Sequence, residues 1–181
     1  METMEKHMKQ VEEGMSLIDL GEVEKMVQAL AITRNLGGTV YVFGNGGSHA
    51  TASHFANDLM KMCKIRAICL GDSIPITSAY GNDDGWENMF SLQLQRLLQE
   101  KDGVFAISCS GNSENVVQAL EFVGGYRKAL MLGLTGMSNE SRINHLGLDA
   151  LVHTRVPDIR VQEDLHMIIC HGLVRSLQER E

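Results

Sequence analysis

The stretch Thr39–Ser48, TVYVFGNGGS, decides the fold of this chain. It begins as an apolar run typical of a buried strand and passes without a linker into Gly44–Ser48 at the start of a helical pattern. The glycines let the backbone approach a ligand closely, while the helix start offers unpaired amides and Ser48 adds a hydroxyl. A strand, a glycine-rich turn and a helix in this order predict an anion-binding loop at the edge of a parallel sheet.

Further short apolar runs and amphipathic stretches alternate along the rest of the chain. The pattern predicts strands buried on both faces at Thr39–Gly44, Ala67–Leu70, Val104–Ser108, Ala129–Leu134 and Leu151–Val156. It predicts helices at about Ser48–Met62, Trp86–Gln99, Asn115–Val123 and Asp158–Arg180. Strands that alternate with helices in this way predict an α/β fold with a doubly wound parallel sheet of five strands, flanked by helices.

The N-terminal segment carries an apolar stripe at helical spacing, formed by Met4, Met8, Val11, Met15 and Ile18. The stripe predicts a helix that packs either on the rest of the chain or on another subunit. A second helix is expected from Glu22 to about Asn35, where two glycines end it. We therefore expect a single domain, with N-terminal helices over residues 1–36 and the α/β core over residues 37–181.

Length and composition exclude several classes of protein. The chain has 181 residues, and its 16 Lys and Arg against 23 Asp and Glu give a net charge of −7. Without a basic patch, nucleic-acid and membrane partners are disfavoured. The four cysteines include no CxxC pair, as expected of reduced thiols. No segment is long and apolar enough for a signal peptide or a membrane span, so we expect a cytoplasmic protein.

A second polar loop follows the predicted strand at Val104–Ser108. It reads SCSGNS over Ser108–Ser113 and leads into a helix, with Ser113 as a possible N-cap. Turn and capping chemistry would account for either loop alone, but two such loops after two strands of one sheet favour phosphate binding. Neither loop has the order of a nucleotide or dinucleotide motif. A phosphorylated small molecule is therefore the expected ligand.

Ionisable side chains on two predicted helices are candidates for further chemistry. His54 and Asp58 are four residues apart and share a helix face, where they form a metal-binding pair, an acid–base pair or a simple surface contact. The last helix carries Glu163, His166 and His171 in an apolar context. Such groups must be paired, ligated or shifted in pKa if they are buried.

The order and spacing of several motifs resemble those of the sugar isomerase (SIS) domain family, and most closely its phosphoheptose isomerase branch. The motifs are FGNGGSH at 43–49 with HFA at 54–56, GND at 81–83, SCSGNS at 108–113, and the spaced His166 and His171. The resemblance implies a flavodoxin-like SIS fold with an N-terminal oligomerisation helix and a homotetramer with shared active sites. It also implies interconversion of sedoheptulose 7-phosphate and D-glycero-D-manno-heptose 7-phosphate, which supplies heptose for lipopolysaccharide or capsule.

The resemblance assigns roles to residues of both loops and of the helices. The expected substrate-binding residues are Asn45, Gly46, Gly47, Ser48, Asn82, Asp83, Ser108, Cys109, Ser110, Ser113 and Glu163. A zinc site is expected at His54, Asp58, Glu163 and His171, and we expect Asp58 to transfer the proton at carbon while His171 acts as the complementary acid–base group. Asp58 stands where the family has glutamate and Glu163 where it has glutamine, although Gln162 serves instead if the register slips by one. Met62 replaces a usual arginine, and Lys61 or Lys64 would then supply the charge.

The expected zinc ligands also raise a question of geometry. Glu163 and His171 differ by about 12 Å of rise on one continuous helix. We therefore predict either that the site takes residues from more than one chain or that the helix begins after Glu163.

Two other functions stay open, a non-catalytic tetrameric adaptor that binds the replication initiator and an isomerase of another sugar phosphate.

Overall fold

A computed structural model describes residues 2–126, 129–136 and 138–180. The helices are α1 (Glu2–Ser16), α2 (Leu20–Asn35), α3 (Gly46–Cys63), α4 (Ile74–Asp83), α5 (Met89–Leu97), α6 (Glu114–Tyr126) and α7 (Ile159–Gln178). The strands are β1 (Thr39–Gly44), β2 (Arg66–Cys69), β3 (Gly103–Ser108), β4 (Leu130–Thr135) and β5 (Ala150–His153). Short 3-10 helices lie at Trp86–Asn88 and Arg142–His145.

The five strands form one parallel sheet in the order β2-β1-β3-β4-β5. From β1 the chain first moves outward to β2 and later returns to β3 on the other side of β1. The point where the order reverses therefore lies between β1 and β3, which is where open α/β sheets bind ligands. Both predicted anion loops follow these two strands, and the predicted doubly wound α/β fold is confirmed.

Helices cover both faces of the sheet and bury it. On one face α2, α3 and α7 enclose a core that includes Leu30, Phe55 and Leu173. On the other face α5 and α6 enclose a core that includes Phe90 and Leu120. β1 and β3 are buried along their whole length, as fully covered parallel strands should be. The central pair of strands therefore forms a rigid base for the two loops.

Three local predictions need correction. β2 is buried on one face only, because Ile68 and Arg66 are exposed at the sheet edge. β5 ends at His153 instead of Val156, since the positive φ of Arg155 turns the chain away from the sheet. Helix α4 was not predicted: none of its side chains is buried, so its sequence carries no helical periodicity of apolar residues.

The N-terminal helix docks on its own chain through only part of its apolar stripe. Val11 and Ile18 pack against a small cluster that includes Val161 and Leu165. Met4 and Met8 are each 64% exposed. Between α1 and α7 lies a groove of about 880 Å³ whose lining includes Met8, Val11, Met15, Met167 and Ile168. Among the described residues, no helix meets the length and hydropathy of a membrane span.

Candidate active site

The two loops form one pocket of about 260 Å³ at the point where the strand order reverses. Its lining comprises Asn45, Gly46, Gly47, Ser48, Ile107, Ser108, Cys109, Ser110, Ser113, Ile159 and Glu163. Helices α3, α6 and α7 all begin at or beside this lining. The starts of α3 and α6 present unpaired amides and a partial positive charge that suit a phosphate group, whereas at the start of α7 the Asp158 carboxylate accepts from the Arg160 amide.

Two asparagine side chains that hydrogen-bond to each other fix the conformation of the first loop. Asn45 donates a hydrogen bond to Asn115 at 2.8 Å and accepts one from the same side chain at 2.9 Å. Because its side chain is engaged with α6, Asn45 makes no cap bond to α3. Gly46 adopts a φ of +55°, which favours glycine. The first amides of α3 consequently remain available to a ligand.

The second loop turns sharply through its own serines. The Ser108 hydroxyl accepts a hydrogen bond from the Gly111 amide at 3.1 Å and donates one to the Ser113 hydroxyl at 3.4 Å. The Ser110 hydroxyl accepts from the Asn112 amide at 3.1 Å. These bonds fix three hydroxyl groups around the same pocket, in the way that phosphate sites use Ser side chains.

His166 lies behind this pocket and is neutral. Its Nε2 is 3.3 Å from the Thr135 carbonyl, which can only accept, so Nε2 carries the proton. Its Nδ1 faces the Cys109 thiol at 3.9 Å. Burial lowers the pKa of His166 to about 4, and burial also raises the pKa of the Cys109 thiol. His166 therefore supports the pocket wall as an uncharged structural group.

Glu163 lies inside the anion pocket. Its carboxylate packs against the backbone of Gly47, so closely that a Cβ at position 47 would overlap it. Gln162 points the other way, into the core, where its amide donates to the Val156 carbonyl at 2.6 Å. The alternative register that would use Gln162 as a ligand therefore finds no support in this geometry.

A second group of ionisable side chains lies where α3 packs on α7. The Nε2 atom of His54 is 3.3 Å from an Asp58 carboxylate oxygen and 3.3 Å from the Nε2 atom of His171. One ligand atom from each of the three residues lies within 4.8 Å of the others. Asp58 is buried, whereas both histidines are exposed. The predicted i,i+4 pair thus has a third partner from the last helix.

Glu163 is not part of this group within one chain. Glu163 faces Gly47 and His171 faces His54, so α3 and α7 run side by side in the same direction. Seven residues of α3 and eight of α7 separate the two places, which corresponds to about 10–12 Å. α7 is continuous from Ile159. The prediction that the helix begins after Glu163 is therefore wrong.

The GND segment lies apart from both groups. Asn82 and Asp83 are exposed at the end of α4, where the Asn82 amide donates to the Asp83 carboxylate at 2.6 Å. Neither residue contributes to the lining of the anion pocket. The substrate contact of these two residues therefore stays a prediction.

A further cluster was not predicted. His49, Cys69 and Asp72 each offer one ligand atom within 4.8 Å of the others. The three residues come from α3, the end of β2 and the following loop. Spacing along the chain does not predict this grouping, because 23 residues separate the first from the last and the three meet only because β1 and β2 are neighbours.

Comparison with known proteins agrees with this architecture. The SIS domain profile matches residues 3–125. The phosphoheptose isomerase 1 of Campylobacter jejuni is 36% identical, over 88% of this chain and 87% of that protein. The chain belongs to the SIS domain family, in its phosphoheptose isomerase branch.

Other members of the branch are similar along nearly the whole chain. The phosphoheptose isomerase of Campylobacter concisus is 33% identical over 97% of this chain and 93% of its own. The solved phosphoheptose isomerase of Neisseria gonorrhoeae is 25% identical and superposes with a TM-score of 0.87, over 98% of this SIS-domain chain and 95% of that one. The solved phosphoheptose isomerase of Francisella tularensis is 26% identical and superposes with a TM-score of 0.85, over 98% of this chain and 95% of that one.

Proposed function

We propose that this SIS-domain protein is an aldose–ketose isomerase that converts sedoheptulose 7-phosphate to D-glycero-D-manno-heptose 7-phosphate. The observation that carries the proposal is the separation of two sites on one pair of helices. An anion pocket lies at the start of α3 and α7, and an acid–base group lies about 10–12 Å further along them. Relatives named phosphoheptose isomerase at 33–36% identity support the same activity.

The length of the substrate matches this separation once a polar contact of about 3 Å is added at its reacting end. An extended chain advances about 1.2 Å per bond, so phosphorus and carbon 2 of a 7-phosphorylated heptose are about 8 Å apart. With its phosphate in the pocket, the reacting carbons 1 and 2 would extend toward the group formed by His54, Asp58 and His171. A five-carbon sugar phosphate is two bonds shorter and would fall short of it.

The chain's own side chains can perform the proton transfers. Isomerisation moves a proton between carbons 1 and 2 through an enediol, and it needs a base at carbon and an acid–base group at oxygen. We assign the carbon proton to the Asp58 carboxylate, which is buried and points one oxygen at His54. We assign proton exchange at the sugar oxygens to His171. The Asn57 amide donates to the other Asp58 oxygen at 3.2 Å and holds the carboxylate in place.

The same three residues fit a zinc ion. Two imidazoles and one carboxylate are the ligand set of open catalytic zinc sites, and their donor atoms already lie within 4.8 Å of one another. When bound, zinc would act as a Lewis acid that stabilises negative charge on the substrate oxygens. Glu163 remains in the anion pocket, where it would accept hydrogen bonds from sugar hydroxyls.

The exposed half of the α1 stripe supports a proposed assembly. We propose a cytoplasmic homotetramer whose active sites are completed between subunits and which provides heptose for lipopolysaccharide or capsule. The groove between α1 and α7 provides an uncovered apolar surface for such contacts.

Turnover of sugar phosphates of different length tests the proposed function. The protein, purified with its metal, is incubated with sedoheptulose 7-phosphate and with ribulose 5-phosphate, and the aldose products are separated by chromatography. We expect turnover of the heptulose and at least a tenfold lower kcat/KM for the pentulose. Equal turnover of both sugars would contradict the spanning geometry, and turnover of neither would contradict the isomerase.

A further inference from the structure

A second cluster of metal-ligating side chains lies at the edge of the sheet, on β2 and the start of α3. The Cys69 thiol is 3.6 Å from His49 Nδ1, and the Asp72 carboxylate is 3.3 Å from His49 Nε2. None of the three residues belongs to the group formed by His54, Asp58 and His171. We propose that His49, Cys69 and Asp72 form a second site for a divalent cation of zinc type.

The topology brings the three residues together. β1 and β2 are parallel neighbours with Val42 opposite Cys69, so the chain segments that follow them leave the same edge of the sheet. His49 lies on the first turn of the helix after β1, whereas Cys69 ends β2 and Asp72 follows in its loop. The imidazole of His49 packs so closely on Gly71 that a Cβ at position 71 would overlap it. The ring is therefore held between its two partners.

The donor atoms are close to the spacing that a tetrahedral ion requires. Bond lengths of about 2.0–2.3 Å to nitrogen, oxygen and sulfur place the ligand atoms of one zinc ion about 3.3–3.6 Å apart. The observed contacts of 3.3 and 3.6 Å involve opposite nitrogens of the His49 ring. Only one of these nitrogens can bind the ion, so binding requires the exposed Asp72 carboxylate to move toward the nitrogen that faces Cys69.

The carboxylate has a supporting partner of the kind that metal sites use. The Ser53 hydroxyl donates to one oxygen of Asp72 at 3.0 Å, which leaves the other oxygen directed at His49. Hydrogen bonds of this type orient metal ligands. His49 also lines a cavity of about 170 Å³ beside Asn45 and Gly46. A water or a small ligand in that cavity can take the fourth position.

The protonation state of the Cys69 thiol differs between the metal-free cluster and one that holds a cation. Burial raises the pKa of Cys69 to about 12, so the metal-free thiol holds its proton and is a poor nucleophile at neutral pH. A bound cation displaces the proton and makes the thiolate a ligand. Metal binding at this cluster should accordingly weaken as the pH falls.

Cobalt substitution tests this site separately from the proposed active site. A thiolate ligand gives Co²⁺ a charge-transfer absorption band in the near ultraviolet, whereas two imidazoles and a carboxylate do not. The whole protein is freed of metal, titrated with Co²⁺ and then with Zn²⁺. Because the chain offers two candidate sites, we expect the band to reach full intensity by two equivalents of cobalt per chain. Zinc, which thiolate ligands select, should then abolish it.

Variants assign the band to residues. Cys69→Ser and His49→Ala should lose it, whereas Cys63→Ser, which changes another buried cysteine, should keep it. Ser53→Ala should weaken cobalt affinity by about 10–100-fold without abolishing the band. His49 is partly exposed, so its variant remains informative if Cys69→Ser does not fold. Absence of the band in the unaltered protein at saturating cobalt, or its persistence in His49→Ala, would overturn the proposal whatever the isomerase assay shows.

Discussion

Asp58 is the residue on which the proposed chemistry depends most. Asp58→Asn keeps the shape of the side chain but removes the base, so kcat should fall by about 10²–10⁴-fold with little change in thermal stability. Steady-state assays with sedoheptulose 7-phosphate measure this loss. Glu179→Gln, a carboxylate-to-amide change at the exposed end of the last helix, is the control and should retain full activity. Similar kcat values for Asp58→Asn and Glu179→Gln would contradict the assignment of Asp58 as the base.

His166 gives the fold a defined sensitivity to acid. Its pKa is about 4 in the folded protein and near 6.5 when unfolded, because burial opposes the charged form. Below pH 6.5 the unfolded chain therefore binds a proton that the folded chain does not, and stability falls with pH until about pH 4. The loss amounts to about 3 kcal/mol over this window.

Urea unfolding between pH 7.5 and 4.5 measures the contribution of His166. His166→Gln keeps a donor for the Thr135 carbonyl but does not titrate. The stability of the unaltered protein relative to this variant should decrease as the pH falls, because contributions from other groups cancel in the difference. Parallel stability curves for the two proteins would show that the pKa of His166 does not differ between the folded and unfolded states.

The residues of the anion pocket could be predicted from the sequence, and the clusters beside it only in part. Local order alone places Gly46 and Ser48 at a helix start after a strand. The pairing of His54 with Asp58 follows from helical spacing. The partnership of either with His171, and that of His49 with Cys69, depends on how separate elements pack, which spacing along the chain does not specify.

At the scale of single elements, the N-cap residue Asp19 determines where helix α2 begins. The Asp19 carboxylate accepts from the Gly21 amide at 2.8 Å and from the Glu22 amide at 3.3 Å. Asp19→Ala should lower the free energy of unfolding by about 1 kcal/mol, while Asp19→Asn should keep most of it. Chemical denaturation of the three proteins measures the difference. Equal losses in both variants would indicate that charge near the helix start matters more than the cap bond.

Elements with a buried face could be predicted, and elements without one could not. β1 and β3 follow from their apolar runs because both of their faces are covered. No side chain of α4 is buried, so periodicity does not reveal it, although Ser73 at its N-cap and Pro75 in its first turn are signals of a helix start. The end of β5 depends on the backbone of Arg155, a residue type that rarely adopts positive φ.

At the scale of the whole molecule, the groove between α1 and α7 is the surface through which the proposed assembly would affect activity. The apolar side chains of Met8 and Met15 stay exposed there, whereas Val11 and Ile18 pack against the core cluster. Met8→Lys together with Met15→Lys should shift the sedimenting species toward the monomer and lower specific activity in parallel. Lys6→Gln, on the same helix but outside the lining of the groove, should change neither. A monomeric variant with full activity would contradict active sites shared between subunits.

The pocket formed by the two loops has a consequence for how quickly a ligand arrives. None of its lining residues in the described part of the chain is lysine or arginine, and the chain carries a net charge of −7. Helix amides attract a phosphate only at close range, whereas the surplus of negative charge repels a dianion from a distance. Added salt screens that repulsion over about 8–10 Å. The association rate of the sugar phosphate should therefore rise with ionic strength, opposite to the trend of enzymes that gather phosphorylated substrates with a basic surface.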